Sequence, residues 1–313
     1  MSRLPFAIAA AAGALALIAA TAIPASAGVP AHRGFGRHGG PEYYLSLGDS
    51  LSVGDQPNAQ GATLPTDQGY ADQLYAMLRR DDRDLRLVKL GCPGETTATL
   101  NGGGICGYAG DQRYSLTADT GTQLAAALKF LREHPGQVPL ITIDIGANDL
   151  NNCIALGSIS VIAACVPPVF AAIGHNLAET LAALRAADPR ATIAGMTYYV
   201  PELASWLTGA TGRAFAEGSL PLATALNSTL TADYAQAGAV VADVFTAFHS
   251  SDLTDQVYLP GVGMAPEDVA LICAWTWECA APPVGPNEHA NAAGYAVIAR
   301  TFLVALREAG YRS

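Results

Sequence analysis

Two hydrophobic periods take turns along this chain. Tyr43–Leu47 is a short apolar run that stops at the polar turn Gly48-Asp49-Ser50, which predicts a buried strand ending in a reversal. Tyr70, Leu74, Met77 and Leu78 then recur at helical spacing, on a helix expected to end near Arg80. Leu85–Leu90 predicts a second strand, running into the tight loop Gly91–Thr96. Leu124, Leu128 and Leu131 mark another helix, stopped by Pro135-Gly136. Leu140–Ile145 is the clearest strand, and Gly146-Ala147-Asn148-Asp149 follows it directly. Phe170, Ile173, Leu177, Leu181 and Leu184 predict a helix ending before Pro189. Strands at 192–196 and 240–245 flank a helix over 222–234, and 250–286 is expected to be irregular. Tyr295, Ile298, Phe302 and Leu306 mark the last helix, with Gly310 as its C-terminal stop.

Strands alternating with helices predict one α/β domain over 43–313, a parallel sheet of about five strands with helices on both faces. In such sheets ligands bind outside the carboxyl ends of the strands, where strand order reverses. Ser50, Gly94 and Asn148 sit in the loops after the first, second and third strands, so all three are expected at that rim. Neither an internal repeat nor a composition shift marks a second domain.

The first residues add a compartment. Arg3, the apolar stretch from Phe6 to Ala22 and the small-residue site Ala25-Ser26-Ala27 read as a signal peptide over 1–27, leaving 286 residues. Secretion is therefore expected, with a flexible tail over 28–42 and no later segment able to span a bilayer. The formal net charge of −10 becomes −11 without Arg3, a poor match for nucleic acid or anionic lipid. Six cysteines suit an exported chain. They permit fifteen pairings, of which sequence clustering favours Cys92–Cys106, Cys153–Cys165 and Cys273–Cys279. Each closes a short loop worth roughly 2–3 kcal/mol. The alternative, a zinc site, lacks any Cys-x-x-Cys spacing or histidine cluster.

Four blocks carry candidate chemistry: Gly48-Asp49-Ser50-Leu51, Pro93-Gly94-Glu95-Thr96, Gly146-Ala147-Asn148-Asp149 and Asn287-Glu288-His289-Ala290-Asn291 with Gly294-Tyr295. In this order they resemble the SGNH, or GDSL-type, hydrolases over nearly the whole mature chain, with Ala290 where that family usually has proline. The three cysteine pairs resemble those of secreted actinobacterial esterases and lipases of the family. The Gly-x-Ser-x-Gly elbow of α/β-hydrolases is absent, because Ser52 stands at its last glycine. The resemblance implies a flavodoxin-like three-layer sandwich and a carboxylic ester hydrolase working without metal or cofactor. It makes Ser50 the nucleophile and His289 its general base. The oxyanion donors would be the Ser50 and Gly94 backbone N–H groups and the Asn148 amide. Asp49 and Asp149 are expected to shape their loops.

One departure matters. The family's Asp three residues before the histidine is Pro286 here. A backbone carbonyl near Pro286 is expected to hold the ring, giving a Ser–His dyad, with Asp252, Asp255 or Asp268 as alternatives. Glu288 would need a contorted path. Trp275, Trp277 and Trp206 are candidate walls of an acyl groove. His32, His38, His134, His175 and His249 carry no motif. The expected function is a monomeric secreted esterase or lipase acting on small-molecule or lipid-like esters. Carbohydrate deacetylation, phospholipid acyl hydrolysis and acyl transfer on the same site are its alternatives, and a non-catalytic binding protein is the rival of another class.

Overall fold

The computed structural model describes residues 40–106, 121–156, 159–251 and 253–312. The signal peptide and most of the tail, with His32 and His38, lie outside these residues, as does Asp252. Among the described residues, twenty elements follow one another. β1 (Glu42–Gly48) leads into α1 (Ser50–Val53), the small antiparallel pair β2 (Gln56–Pro57) and β3 (Thr63–Leu64), α2 (Tyr70–Leu78) and β4 (Leu85–Lys89). α3 (Thr97–Gly102), α4 (Gln123–Glu133), β5 (Leu140–Asp144), α5 (Ala147–Ile154), α6 (Ile159–Ala187) and β6 (Thr192–Met196) come next. A 3-10 segment (Pro201–Thr208), α7 (Ala210–Gln236), β7 (Val240–Ala242) and α8 (Val244–Ala247) precede the hairpin β8 (Gln256–Leu259) and β9 (Gly263–Pro266). α9 (Glu267–Trp275) and α10 (Ala292–Glu308) close the chain.

Five strands form one parallel sheet in the order β4-β1-β5-β6-β7. Chain order reverses at β1, with β4 on one side and β5 on the other, so the rim above β1 and β5 is the switch point. β1 is buried from Tyr44 onward and β5 throughout, which is why both read as unbroken apolar runs rather than alternating ones. α2 and α10 pack on each other, and α3, α4, α6 and α7 form a second set of mutually packed helices. α10 buries Tyr295, Ile298, Ala299, Phe302 and Leu306. Asn291 caps its start by accepting from the Ala293 and Gly294 N–H groups, and Gly310 ends it at φ +83°.

Several boundaries depart from the sequence pattern. α6 starts eleven residues before Phe170 and carries Pro167 and Pro168 in its interior. Proline removes a helical donor, so the pair reads from sequence as a stop. In the fold, the Cys153–Cys165 disulfide ties this first part to α5. α7 likewise begins at Ala210 and contains Pro221. The last sheet strand stops at Ala242, and the stretch expected to be irregular holds β8, β9 and α9. Ser160–Ala187 is also long and apolar enough to cross a bilayer by length and composition, contrary to expectation. Its stripe Ile173, Leu177, Leu181 and Leu184 is buried in the core instead, while Asn176 and Thr180 hydrogen bond to α3.

The core includes one close approach that only glycine allows. At Gly195 in β6 a Cβ would overlap the ring of Tyr234, which α7 lays flat on the sheet. Gly195→Ala is expected to destabilise the fold by about 1–3 kcal/mol through overpacking. Adding Tyr234→Leu should recover part of that loss, as chemical denaturation of the single and double variants would measure.

Candidate active site

The Gly48-Asp49-Ser50 reversal puts Ser50 at the first position of α1, with Asp49 as the cap accepting from the Leu51 N–H at 2.9 Å. Asp49 N–H donates to the Asp144 carbonyl, 3.0 Å away. Two buried tyrosines reach the same place: Tyr198 OH donates to Asp49 Oδ2 at 2.7 Å, and Tyr70 OH donates to Asp144 Oδ1. Asp144 Oδ2 accepts from the Ser52 N–H at 3.1 Å. A buried Gln123 on α4 serves Gly48 on both sides, accepting from its N–H at 2.6 Å and donating to its C=O at 2.9 Å. Its amide also donates to Glu95 Oε2 at 3.1 Å.

The second and third loops are stapled together. Asn148, in the first turn of α5, donates its side-chain amide to the Glu95 carbonyl at 2.9 Å. Asp149 accepts from the Thr97 N–H at 2.9 Å and from the Thr97 hydroxyl at 2.6 Å. Gly94, next to Glu95, has φ +80°, a conformation that L side chains rarely adopt. Among the described residues neither Ser50 nor Gly94 gives its backbone N–H to a protein acceptor.

His289 comes from a rail built across the last loop. Trp277 N–H donates to the His289 carbonyl and Asn287 N–H to the Trp277 carbonyl, while Thr276 bridges Ala290. The Cys273–Cys279 disulfide cinches that loop, with Cα atoms 5.0 Å apart. Cys92–Cys106 likewise closes the loop bearing Gly94, so all three cysteine pairs form as sequence clustering favours.

Ser50, Asn148 and His289 line one cleft of about 720 Å³, its open mouth included. Gly94 is not among the lining residues; it stands beside them through Glu95 and Asn148. One wall is aliphatic, with Leu150 and Ile154 from α5 and Leu222, Ala223 and Leu226 from α7. Tyr198 to Glu202 also line the cleft, as does Glu288, next to His289 in the chain.

The GDSL-like Lipase/Acylhydrolase family model matches residues 46–297, which takes in all four blocks. The chain belongs to that family. It is a carboxylic ester hydrolase. No curated protein matches it by sequence. Among solved structures, a Parabacteroides merdae protein described as a GDSL-like lipase shares 12% identity, with 87% of this chain and 96% of that chain covered at a TM-score of 0.52. The lipase Lip_vut3 from goat rumen metagenome shares 17%, with 86% and 98% covered at 0.50. A catalytic mutant of Axe2, an acetylxylan esterase from Geobacillus stearothermophilus, shares 15%, with 87% and 96% covered at 0.50. At these identities the likeness shows the fold.

Within this GDSL hydrolase two expectations are corrected. The partner of His289 is not a backbone carbonyl near Pro286: the Asn287 side-chain Oδ1 lies 2.8 Å from His289 Nδ1. The same oxygen accepts from the His289 backbone N–H at 3.1 Å, a turn in which asparagine bonds the backbone two residues on. Asn-x-His was the available signal, and it reads as an ordinary turn because the reach to the ring depends on the rotamer. The tryptophans do not line the cleft either. Trp275 packs edge-on against Phe248, Trp206 lies under Arg213, and Trp277 serves the rail through its backbone. His134 stacks on Phe130, and His175 and His249 face Glu179 and Glu267.

The site's electrostatics are set by burial. It raises Asp144 well above the ordinary carboxylate range, reinforced by the neighbouring Asp49. Burial also raises Glu202 and Glu288, and lifts Asp55 and Glu278 to about 7. The His289 imidazole is pushed the other way, to about 4, by burial alone. A carboxyl whose folded pKa is raised contributes stability that is full in acid and is lost as pH rises through that value. His289 opposes this, but only as pH falls below the ordinary imidazole value toward 4. The melting temperature is therefore expected to be higher at pH 6 than at pH 8, by roughly 2–4 °C in a calorimetric scan.

Proposed function

We propose that this GDSL hydrolase is an exported serine esterase that cleaves acyl esters with lipid-like chains through an acyl-enzyme on Ser50. The observation that carries the reading is the meeting of Ser50, Asn148 and His289 in one cleft with an aliphatic wall. His289 takes the Ser50 proton as the hydroxyl attacks the ester carbonyl, then returns it to the leaving alcohol; water repeats the cycle on the acyl-enzyme. Burial keeps the imidazole neutral, the state that can accept a proton, while lowering its basicity. The tetrahedral oxyanion is held by the uncommitted Ser50 and Gly94 N–H groups and by the second amide hydrogen of Asn148, whose first is fixed on Glu95.

The acyl chain runs along α5 and α7. Phe215, 49% exposed, lies one turn before Ser219 on the face of α7 that also carries Leu222 and Leu226. An acetyl group alone would leave that wall unused. Export is supported by the leader-like pattern of the first residues together with the three disulfides.

A chain-length series of p-nitrophenyl esters tests this. Wild type should gain in kcat/KM from acetyl to octanoyl, at most about fourfold per buried methylene. Ser50→Ala and His289→Ala should each lose on the order of 10⁴-fold or more, and a fluorophosphonate should label wild type but not Ser50→Ala. Activity surviving in Ser50→Ala would sink the mechanism, and a preference for acetyl would sink the lipid-like substrate. Asn148→Ala should lower kcat by about 10²–10³-fold with little change in KM.

A further inference from the structure

We propose that Asn287 is the positioning residue of His289, completing a Ser50–His289–Asn287 triad whose third member is neutral. The proposal rests on the Ser50–His289 reading above. Its geometry stands on three hydrogen bonds. Asn287 Nδ2 donates to Thr63 Oγ1 at 2.8 Å, and Asn287 Oδ1 accepts from both the backbone N–H and the ring Nδ1–H of His289.

The backbone bond fixes which way the amide faces. A backbone N–H donates only, so the Asn287 atom beside it is the oxygen and not the NH₂. That oxygen faces Nδ1, so Nδ1 carries the ring proton and Nε2 is left as the basic nitrogen of a residue lining the cleft. An amide in the third position of a serine triad ordinarily costs about 10⁴-fold, because its NH₂ imposes the wrong tautomer. Here the donor-only His289 backbone N–H excludes that orientation, and the Thr63 hydroxyl accepts from the NH₂ that it leaves pointing away from the ring.

A neutral partner orients the ring without a fixed charge to favour the imidazolium. The carboxyls around His289 do not supply one in acid. Glu288 is its neighbour in the chain, Glu202 comes from the 3-10 segment, Glu278 from the cinched loop and Asp49 from the cap of α1. Burial raises all four, so acidification discharges them. Tyr199, the nearby phenol, is held neutral and donates to the Glu288 carbonyl. The ring therefore stays unprotonated well below the ordinary histidine range, and the enzyme keeps its base in acidic surroundings. A carboxylate placed at 287 would pull the titration upward.

Profiles of kcat and KM between pH 4 and pH 9 on p-nitrophenyl butyrate, for wild type and three variants, test this. Asn287→Ala should lose about 10²-fold in kcat with KM within about twofold. Asn287→Asp should recover at least about tenfold of that loss and move the acid-side inflection up by about one pH unit or more. Thr63→Val, which leaves Nδ2 unpaired, should lose about three- to tenfold in kcat. In wild type, ¹⁵N spectra of labelled histidine at pH 7 should show Nδ1 protonated and Nε2 bare, a readout that stands even where Asn287→Ala fails to fold. An Asn287→Ala enzyme with unchanged kcat, an Asn287→Asp inflection that does not move, or the opposite tautomer in the spectra would each overturn the proposal. Fluorophosphonate labelling of the same variants separates the two readings: labelling that survives with the triad predictions failing leaves the Ser50 acyl-enzyme standing.

Discussion

The placement of Ser50 rests on the buried contact between Asp49 and Asp144. Two buried carboxyls in contact disfavour each other's charge, so burial and mutual repulsion raise Asp144 well above the ordinary carboxylate range and burial raises Asp49 as well. Their oxygens are satisfied by Leu51 and Ser52 N–H from above and by Tyr198 and Tyr70 hydroxyls from the sides. These bonds tie the first turn of α1 to the ends of β1 and β5. The pair thereby holds Ser50 above the sheet's switch point, and the tyrosines anchor it to α2 and to the strand end after β6. An unpaired buried carboxylate would be far more costly than this shared arrangement.

Around that pair, the loops are joined to one another more than to their own strands. Gln123 reaches from α4 to Gly48 and Glu95, and Asn148 and Asp149 reach from α5 to Glu95 and Thr97. A donor that is only a loop backbone, such as the Gly94 N–H, gains fixed geometry from such cross-bonds. The proposed oxyanion hole is preorganised in this sense: the amide of Asn148 is already committed on one hydrogen before any substrate arrives. His289 is held by a separate mechanism, the disulfide-closed rail from Trp275 to Trp277, and meets the other groups only across the cleft.

The hydrophobic pattern by itself determined the sheet. β1, β5 and β6 are legible because strands buried on both faces leave short apolar runs, the edge strand β4 because apolar and basic residues alternate along it, and the four motif blocks mark loops behind strands and ahead of the last helix. The order of those blocks identified Ser50, Gly94, Asn148 and His289, and the clustering of the cysteines their pairing. Three kinds of fact were decided only in three dimensions. Helix interiors containing Pro167, Pro168 and Pro221 persist because packing and a disulfide outweigh a local preference worth a few kcal/mol. The cleft walls come from α5, α7 and the segment after β6, far apart in sequence, while the tryptophans nearest His289 in the chain turn elsewhere. The partner of His289 depends on a single rotamer of Asn287 held by Thr63, 224 residues away. Local sequence sets which amide atom of Asn287 faces the ring, through the donor-only His289 N–H; the distant hydroxyl that accepts from the amide's other end is supplied by the fold alone.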